Sequence, residues 1–179
     1  LRRELFQPSI EGEARVLILI DAFSGGQKCL EGRTKLAKLD FLLRYPGYFA
    51  RALKMRSNVK TVSKADLEII ESATELNNIE HRMVRFRYGP WDPAYYGLIG
   101  RLIGKGLIEP VSINRGIGFK ATTKGREIAR KLADDPYWNI VSQRSKLLRK
   151  HFDLTGTSLK DFIYDFFPEV TSATWGEEI

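Results

Sequence analysis

Apolar residues recur along this chain mostly at helical spacing. Val16, Leu19, Ile20 and Phe23 stand at i, i+3, i+4 and i+7, which predicts a first helix over 11–24. Leu17 and Ile18 widen the stripe, so this helix is expected to be well buried, and Gly25-Gly26 stops it. A second helix is predicted over 33–45, with Leu36, Leu39, Leu42 and Leu43 on its apolar face and Arg33, Lys35, Lys38 and Arg44 over much of the rest. Pro46 restricts Tyr45 and ends it, and 48–55 continues as a short helical turn. Ser63-Lys64-Ala65-Asp66 has the form of a capping box, with Asp where Glu is usual. It opens a helix that runs to about Leu76. Residues 79–88 fit helix or extended chain.

Gly89-Pro90 breaks the chain. Asp92 before Pro93 is a good start for a helix to about Lys105. Its Tyr95, Leu98, Ile99, Leu102 and Ile103 point one way, and Arg101 and Lys105 another. Gly97, Gly100 and Gly104 lower its propensity. Their spacing predicts close approach of another backbone, and Gly106 is the natural C-cap. Two short strands follow, 107–113 and 117–121, joined by Asn114-Arg115-Gly116. A helix then begins at Thr122-Thr123-Lys124-Gly125. Asp135-Pro136 starts another helix, anchored by Trp138, Val141, Leu147 and Leu148. Ser158 is the expected cap of a last helix, which Pro168 ends.

This order, helices then a β-hairpin then a helix, predicts a mainly α chain with a small β-hairpin. It reads as a winged-helix core over 10–133, with an inserted helical stretch at 46–90 and a C-terminal helical extension over 134–179. The chain has 179 residues, 43% of them hydrophobic, so a substantial core can form. The longest apolar run, Val16 to Ile20, is far too short to span a bilayer. One cysteine, Cys29, permits no intramolecular disulfide, and a cytoplasmic location is the simplest reading.

The net charge of +7 favours contact with polyanions without naming one. Arg82, Arg85 and Arg87 interleave with aromatics before the Gly-Pro-Trp-Asp turn. Arg101 and Lys105 lie on the third winged-helix element, Arg115 at the wing tip and Lys120 on its second strand. These seven are the candidate nucleic-acid contacts, through phosphates of duplex DNA. The arginines before the turn have a structural alternative, covering apolar surface or pairing with Glu80 or Asp92. The helix lacks Asn or Gln able to read adenine, so sequence-specific readout is poorly supported. Tyr95, Tyr96, Phe162, Phe166 and Phe167 are the candidate partner contacts, expected as exposed apolar surface.

No catalytic constellation, cofactor loop or metal-ligand spacing stands out. Gly25-Gly26-Gln27-Lys28 lacks phosphate-loop spacing, and the two histidines, His81 and His151, are far apart in sequence. Cys29 has no neighbouring base and reads as a structural thiol.

The segment Arg82 to Asp92, then Ala94 to Ile108, resembles the middle component of three-component ABC-ATPase systems, a family associated with Lamassu-type anti-phage and anti-plasmid defence. Arg33 to Leu43, Thr123 to Ala129 and Phe162 to Glu169 are similar to the same family, and the order of elements agrees over 10–175. The resemblance implies a small winged-helix adaptor that binds an SMC-like ABC ATPase and a nuclease or other effector. It supplies no catalytic residues. The alternative expectation is a stand-alone winged-helix transcription regulator. A Cys29-dependent enzyme is a third, lacking a second catalytic group.

Overall fold

The computed structural model of the chain describes residues 6–57, 61–71, 83–87, 89–114 and 116–179. It is mainly helical, with two small antiparallel hairpins. Among the described residues, no helix is long and apolar enough to cross a membrane.

Helix α1 (Ile10–Phe23) starts at Ser9, whose hydroxyl accepts the Gly12 N–H at 2.9 Å. Its run from Val16 to Ile20 is buried on all sides, as the widened stripe predicts. Helix α2 (Gly32–Arg44) departs from its sequence pattern. Every residue from Lys35 to Arg44 is buried, cations included. The reason is enclosure: α1, the later helices and the hairpins pack around α2, so beyond its first turn, where Arg33 is exposed, its polar side is covered. Pro46 ends α2 and also occupies the first turn of α3 (Pro46–Arg56), so the short turn expected at 48–55 is a full helix.

Helix α4 (Lys64–Glu71) begins with both reciprocal bonds of the capping box. The Asp66 N–H donates to Ser63 Oγ, and the Ser63 N–H to Asp66 Oδ2, each at 3.1 Å. Its expected continuation to Leu76 lies outside the described residues. The described part of 79–88 is extended: β1 (Val84–Phe86) pairs with β2 (Gly89–Trp91). The chain end joins them, with Arg85 N–H donating to Glu177 O and Ile179 N–H to Met83 O, both at 2.8 Å.

Helix α5 (Tyr95–Gly104) is launched by the Asp92 carboxylate, which accepts the Ala94 N–H at 2.8 Å. Gly106, at φ +68°, terminates it as expected. Its glycines behave unequally. A Cβ on Gly97 would lie 2.3 Å from Pro8 Cγ, whereas Gly100 and Gly104 face open space. The expected close approach of a backbone along this row is therefore not seen: only Gly97 has a close neighbour, and that neighbour is the Pro8 ring.

Strands β3 (Ile108–Ile113) and β4 (Gly116–Ala121) pair in register, Ile108 opposite Ala121 and Ile113 opposite Gly116. Leu30, between α1 and α2, bridges to Phe119 through two N–H···O bonds of 2.9 Å. Helix α6 (Thr123–Leu132) is capped by Thr122. Gly125 sits so close to the hairpin that a Cβ there would fall 1.9 Å from Leu107 O.

Helix α7 (Pro136–Phe152) is capped by Asp135, and α8 (Gly156–Phe166) by Thr155 rather than Ser158, whose own N–H is the donor at 3.1 Å. The proline expected to stop α8 opens α9 (Pro168–Thr171). Helix α7 packs on α1 and α8 on α2. Val141, Leu148, Phe152, Leu159 and Ile163 belong to the same apolar cluster as Val16 and Leu36, so residues 134–179 share one core with 10–133.

That core contains a charge network. Asp40, fully buried, accepts from Arg15 Nε and Arg44 Nε at 2.9 Å each and from the Tyr95 hydroxyl at 2.7 Å. Arg44 also reaches Asp92 at 2.5 Å. Burial alone would raise the Asp40 pKa. The Arg15 and Arg44 charges, with the Tyr95 and Arg15 hydrogen bonds, instead hold it below its ordinary value. The network pins α1, α2 and α5 to one another and fixes the orientation of α5.

Candidate docking groove

With Tyr95, Leu98 and Leu102 turned into the core, α5 presents Ile99, Ile103 and Tyr96 along one flank. At roughly 100° per residue these three fall on one side of the helix, and Arg101 and Lys105 on the opposite side. Between them, facing outward, are Gly100 and Gly104. The apolar flank looks across a depression of about 600 Å3 toward Ile113, Ile117 and Phe119 of the hairpin, and Arg33 and Thr34 also line it. Tyr96, Ile103 and Ile117 are 61%, 38% and 57% exposed. Large aliphatic and aromatic groups thus line an open channel, where water gains little by contacting them.

A second depression of about 200 Å3 adjoins the first and shares Arg33, Thr34 and Tyr96 with it. Phe86 and Trp91 form its wall. The rings run in series: Tyr96 to Trp91 at 6.0 Å between centroids, Trp91 to Phe86 at 6.0 Å and Phe86 to Trp175 at 6.4 Å. The Arg33 guanidinium sits 4.6 Å over Tyr96.

Lys38 lies at the inner end of this second depression, beside Gly89 and Pro90. It is 1% exposed, and its Nζ makes one long hydrogen bond, 3.5 Å, to Pro90 O. Burial lowers its pKa to about 7, and the nearby Arg85 and Lys160 charges push the same way. The other buried cations of α2 have acids: Lys35 meets Asp153 at 2.9 Å, and Arg44 meets Asp40 at 2.8 Å.

Of the residues expected to contact nucleic acid, the described ones do not form one free basic face. Arg85 is buried, and its guanidinium donates to Thr171 O at 3.1 Å and the Tyr164 hydroxyl at 3.2 Å, serving the structural role that was its alternative. Its expected partner Asp92 is taken by Arg44. Arg101 donates to Pro8 O at 2.8 Å and lies 3.6 Å from Glu13, while Lys105 is bonded to the same Glu13. Lys120 donates to Gly26 O at 2.8 Å. Arg87 is exposed. Arg82 and Arg115 lie outside the described residues.

The aromatic candidates also divide. Tyr95 and Phe167 are wholly buried, so neither is the exposed contact it was expected to be. The Tyr95 hydroxyl is engaged by Asp40, and Phe167 packs edge-on to Tyr48 at 5.1 Å under the Arg51 guanidinium. Phe162 is partly buried against Phe152, whereas Tyr96 and Phe166 are exposed. Sequence reasoning missed Ile103, Ile117 and Phe86 as surface groups, since apolar residues at core spacing are indistinguishable from groove residues until the neighbours are known. It also missed Lys38, which the helical pattern assigns to a solvated side.

Among the described residues, no cluster of three or more His, Cys, Asp or Glu could hold a metal ion. Burial raises the Cys29 thiol pKa, and its sulfur packs against Gly118. No family model, curated protein or solved structure matches the chain.

Proposed function

We propose that this chain is a non-catalytic, cytoplasmic adaptor subunit of winged-helix type. It docks an apolar segment of an SMC-like ABC ATPase in the groove between α5 and the β3–β4 hairpin. In an anti-phage or anti-plasmid complex it would link that ATPase to a nuclease or other effector. The ATPase, effector and defence role rest on the sequence resemblance. The winged-helix reading is supported by the single-residue Leu30–Phe119 bridge, which ties the α1–α2 connection to β4, and by α5 leading directly into the hairpin.

The observation that carries the docking reading is the outward face of α5. Its exposed positions are Tyr96, Gly100, Ile103 and Gly104 on one side, and two bases tied to Glu13 and Pro8 on the other. A helix reading base edges needs side chains that donate and accept in the major groove. Glycine and isoleucine do neither, whereas both suit close apolar packing against another protein. A stand-alone regulator of transcription is therefore the weaker alternative.

The test is co-purification with an SMC-like ATPase encoded beside this chain. Wild type and Arg101→Ala should retain the ATPase, and Ile103→Glu should lose it while keeping the wild-type melting temperature. Equal recovery with Ile103→Glu, or no recovery with wild type, refutes the docking reading. A sequence-specific footprint on duplex DNA at moderate salt would instead favour the regulator.

A further inference from the structure

A buried ammonium without an acid is expensive, because desolvation disfavours its charge and no carboxylate restores it. Lys38 is in that position. Arg85 approaches from β1 and Lys160 from α8, and both are cations; Arg33 stands one turn away on α2 itself. Asp161, next to Lys160 on α8, pairs with Lys160 at 3.1 Å. Glu31, at the rim of the neighbouring groove, lies 3.9 Å from Lys35. Among the described residues, no acid is among the charges that act on Lys38. An ammonium has three donors, and here one of them has only the 3.5 Å contact with Pro90 O. Thr34, one turn earlier on the same side of α2, lines the same depression.

The shape limits what can neutralise this charge. The depression holds about 200 Å3 and shares Arg33, Thr34 and Tyr96 with the lining of the apolar groove. A nucleic-acid backbone is generally met by solvent-reachable cations spaced along a surface. Here the cation is buried and the adjoining channel is lined by isoleucines. A protein segment that places apolar side chains along the groove and one acidic side chain at its end matches both halves.

We propose that the Lys38 pocket is a carboxylate subsite, fixing one Asp or Glu side chain of the partner segment that lies in the α5–hairpin groove. The inference rests on the docking reading and adds the partner's chemistry. Lys38 would supply the charge-assisted bond at the inner end, Thr34 a hydroxyl and Arg33 a rim charge. Phe86 and Trp91 would exclude water from the pair.

The test is selection of short random peptides from a display library on the full chain, followed by fluorescence anisotropy. Enriched peptides should carry a single acid beside apolar residues, and glutamine in its place should weaken binding at least about tenfold. Lys38→Met should weaken the acidic peptide to the level of its glutamine version, and no further when both changes are combined. The same variant should melt at or above the wild-type temperature, which a structural lysine would not allow. Ile103→Glu should weaken both peptides. Acid-free binders sensitive to Ile103→Glu, or acidic binders indifferent to Lys38→Met, overturn the subsite alone. Peptides indifferent to Ile103→Glu, or no enrichment, overturn the groove and the subsite together. Binding of an oligothymidylate that disappears in Lys38→Met would assign the pocket to nucleic acid and overturn the proposal.

Discussion

Replacing Asp40 by Ala removes the acceptor at the centre of the buried network. Three donors then lose their partner: Arg15 Nε and Arg44 Nε, each at 2.9 Å, and the Tyr95 hydroxyl at 2.7 Å. Arg44 keeps Asp92 at 2.5 Å, but Arg15, almost fully buried, has no second acid among the described ion pairs. Breaking a buried pair from one side costs about 3–5 kcal/mol, because a desolvated charge is left uncompensated. For a chain of this size that corresponds to a melting temperature lower by roughly 6–20 °C. Urea unfolding at neutral pH should show a lower midpoint with an unchanged slope, and Asp40→Asn, which keeps one acceptor, should fall between. The pH profile provides a second check. Since the Asp40 pKa is lowered on folding, its stabilisation is complete above the unfolded value, about 4, and fades as pH falls through the folded one. The acid limb should therefore be flatter in Asp40→Ala than in wild type. A loss below about 1 kcal/mol at neutral pH, against the expected range, would mean that the network does not hold α1, α2 and α5 together.

Gly125→Ala forces a Cβ into the space 1.9 Å from Leu107 O. It should cost about 1–3 kcal/mol in denaturant unfolding, and a neutral result would place α6 farther from the hairpin. Asp66 has its pKa lowered to about 2: burial raises it, but bonds from Lys150, Ser63 and His151 more than offset that. Asp66→Asn should thus lose stability at pH 7, roughly 2 kcal/mol from the shift, and lose proportionately less than wild type between pH 4 and 2. Lys38, lowered to about 7, binds fewer protons folded than unfolded, so wild type should gain stability on Lys38→Met as pH rises from 7 toward 10. The upper bound is about 5 kcal/mol, and parallel profiles would show that Lys38 is solvated. Arg101→Ala should leave the salt dependence of any duplex binding unchanged, because that base is engaged by Pro8 O and Glu13; a shallower slope would put it on phosphate.

The helices were legible because their signals are local. Ser9 was not singled out, yet the periodicity of Val16 to Phe23 placed α1 within a residue of its bounds. Gly106 and Asp135 marked boundaries through bonds made within a few residues, whereas α5 begins at Tyr95, two residues beyond the start that Asp92-Pro93 predicts. The β3–β4 hairpin was equally plain, since its turn and strands are contiguous. The stretch before Gly89 was not, because β1 is held partly by residues 176–179, far away in sequence.

Sequence alone therefore determined the succession of helices, the hairpin and most of their boundaries, all of which depend on neighbours three or four residues apart. Tertiary structure decided which charged and aromatic groups meet water. Lys35, Lys38 and Arg44 stand at polar positions of α2 and are nonetheless enclosed, while Ile103 and Ile117 stand at apolar positions and remain open. Burial is fixed by what packs opposite a residue, and that partner is supplied by chain folded from elsewhere, which periodicity does not encode.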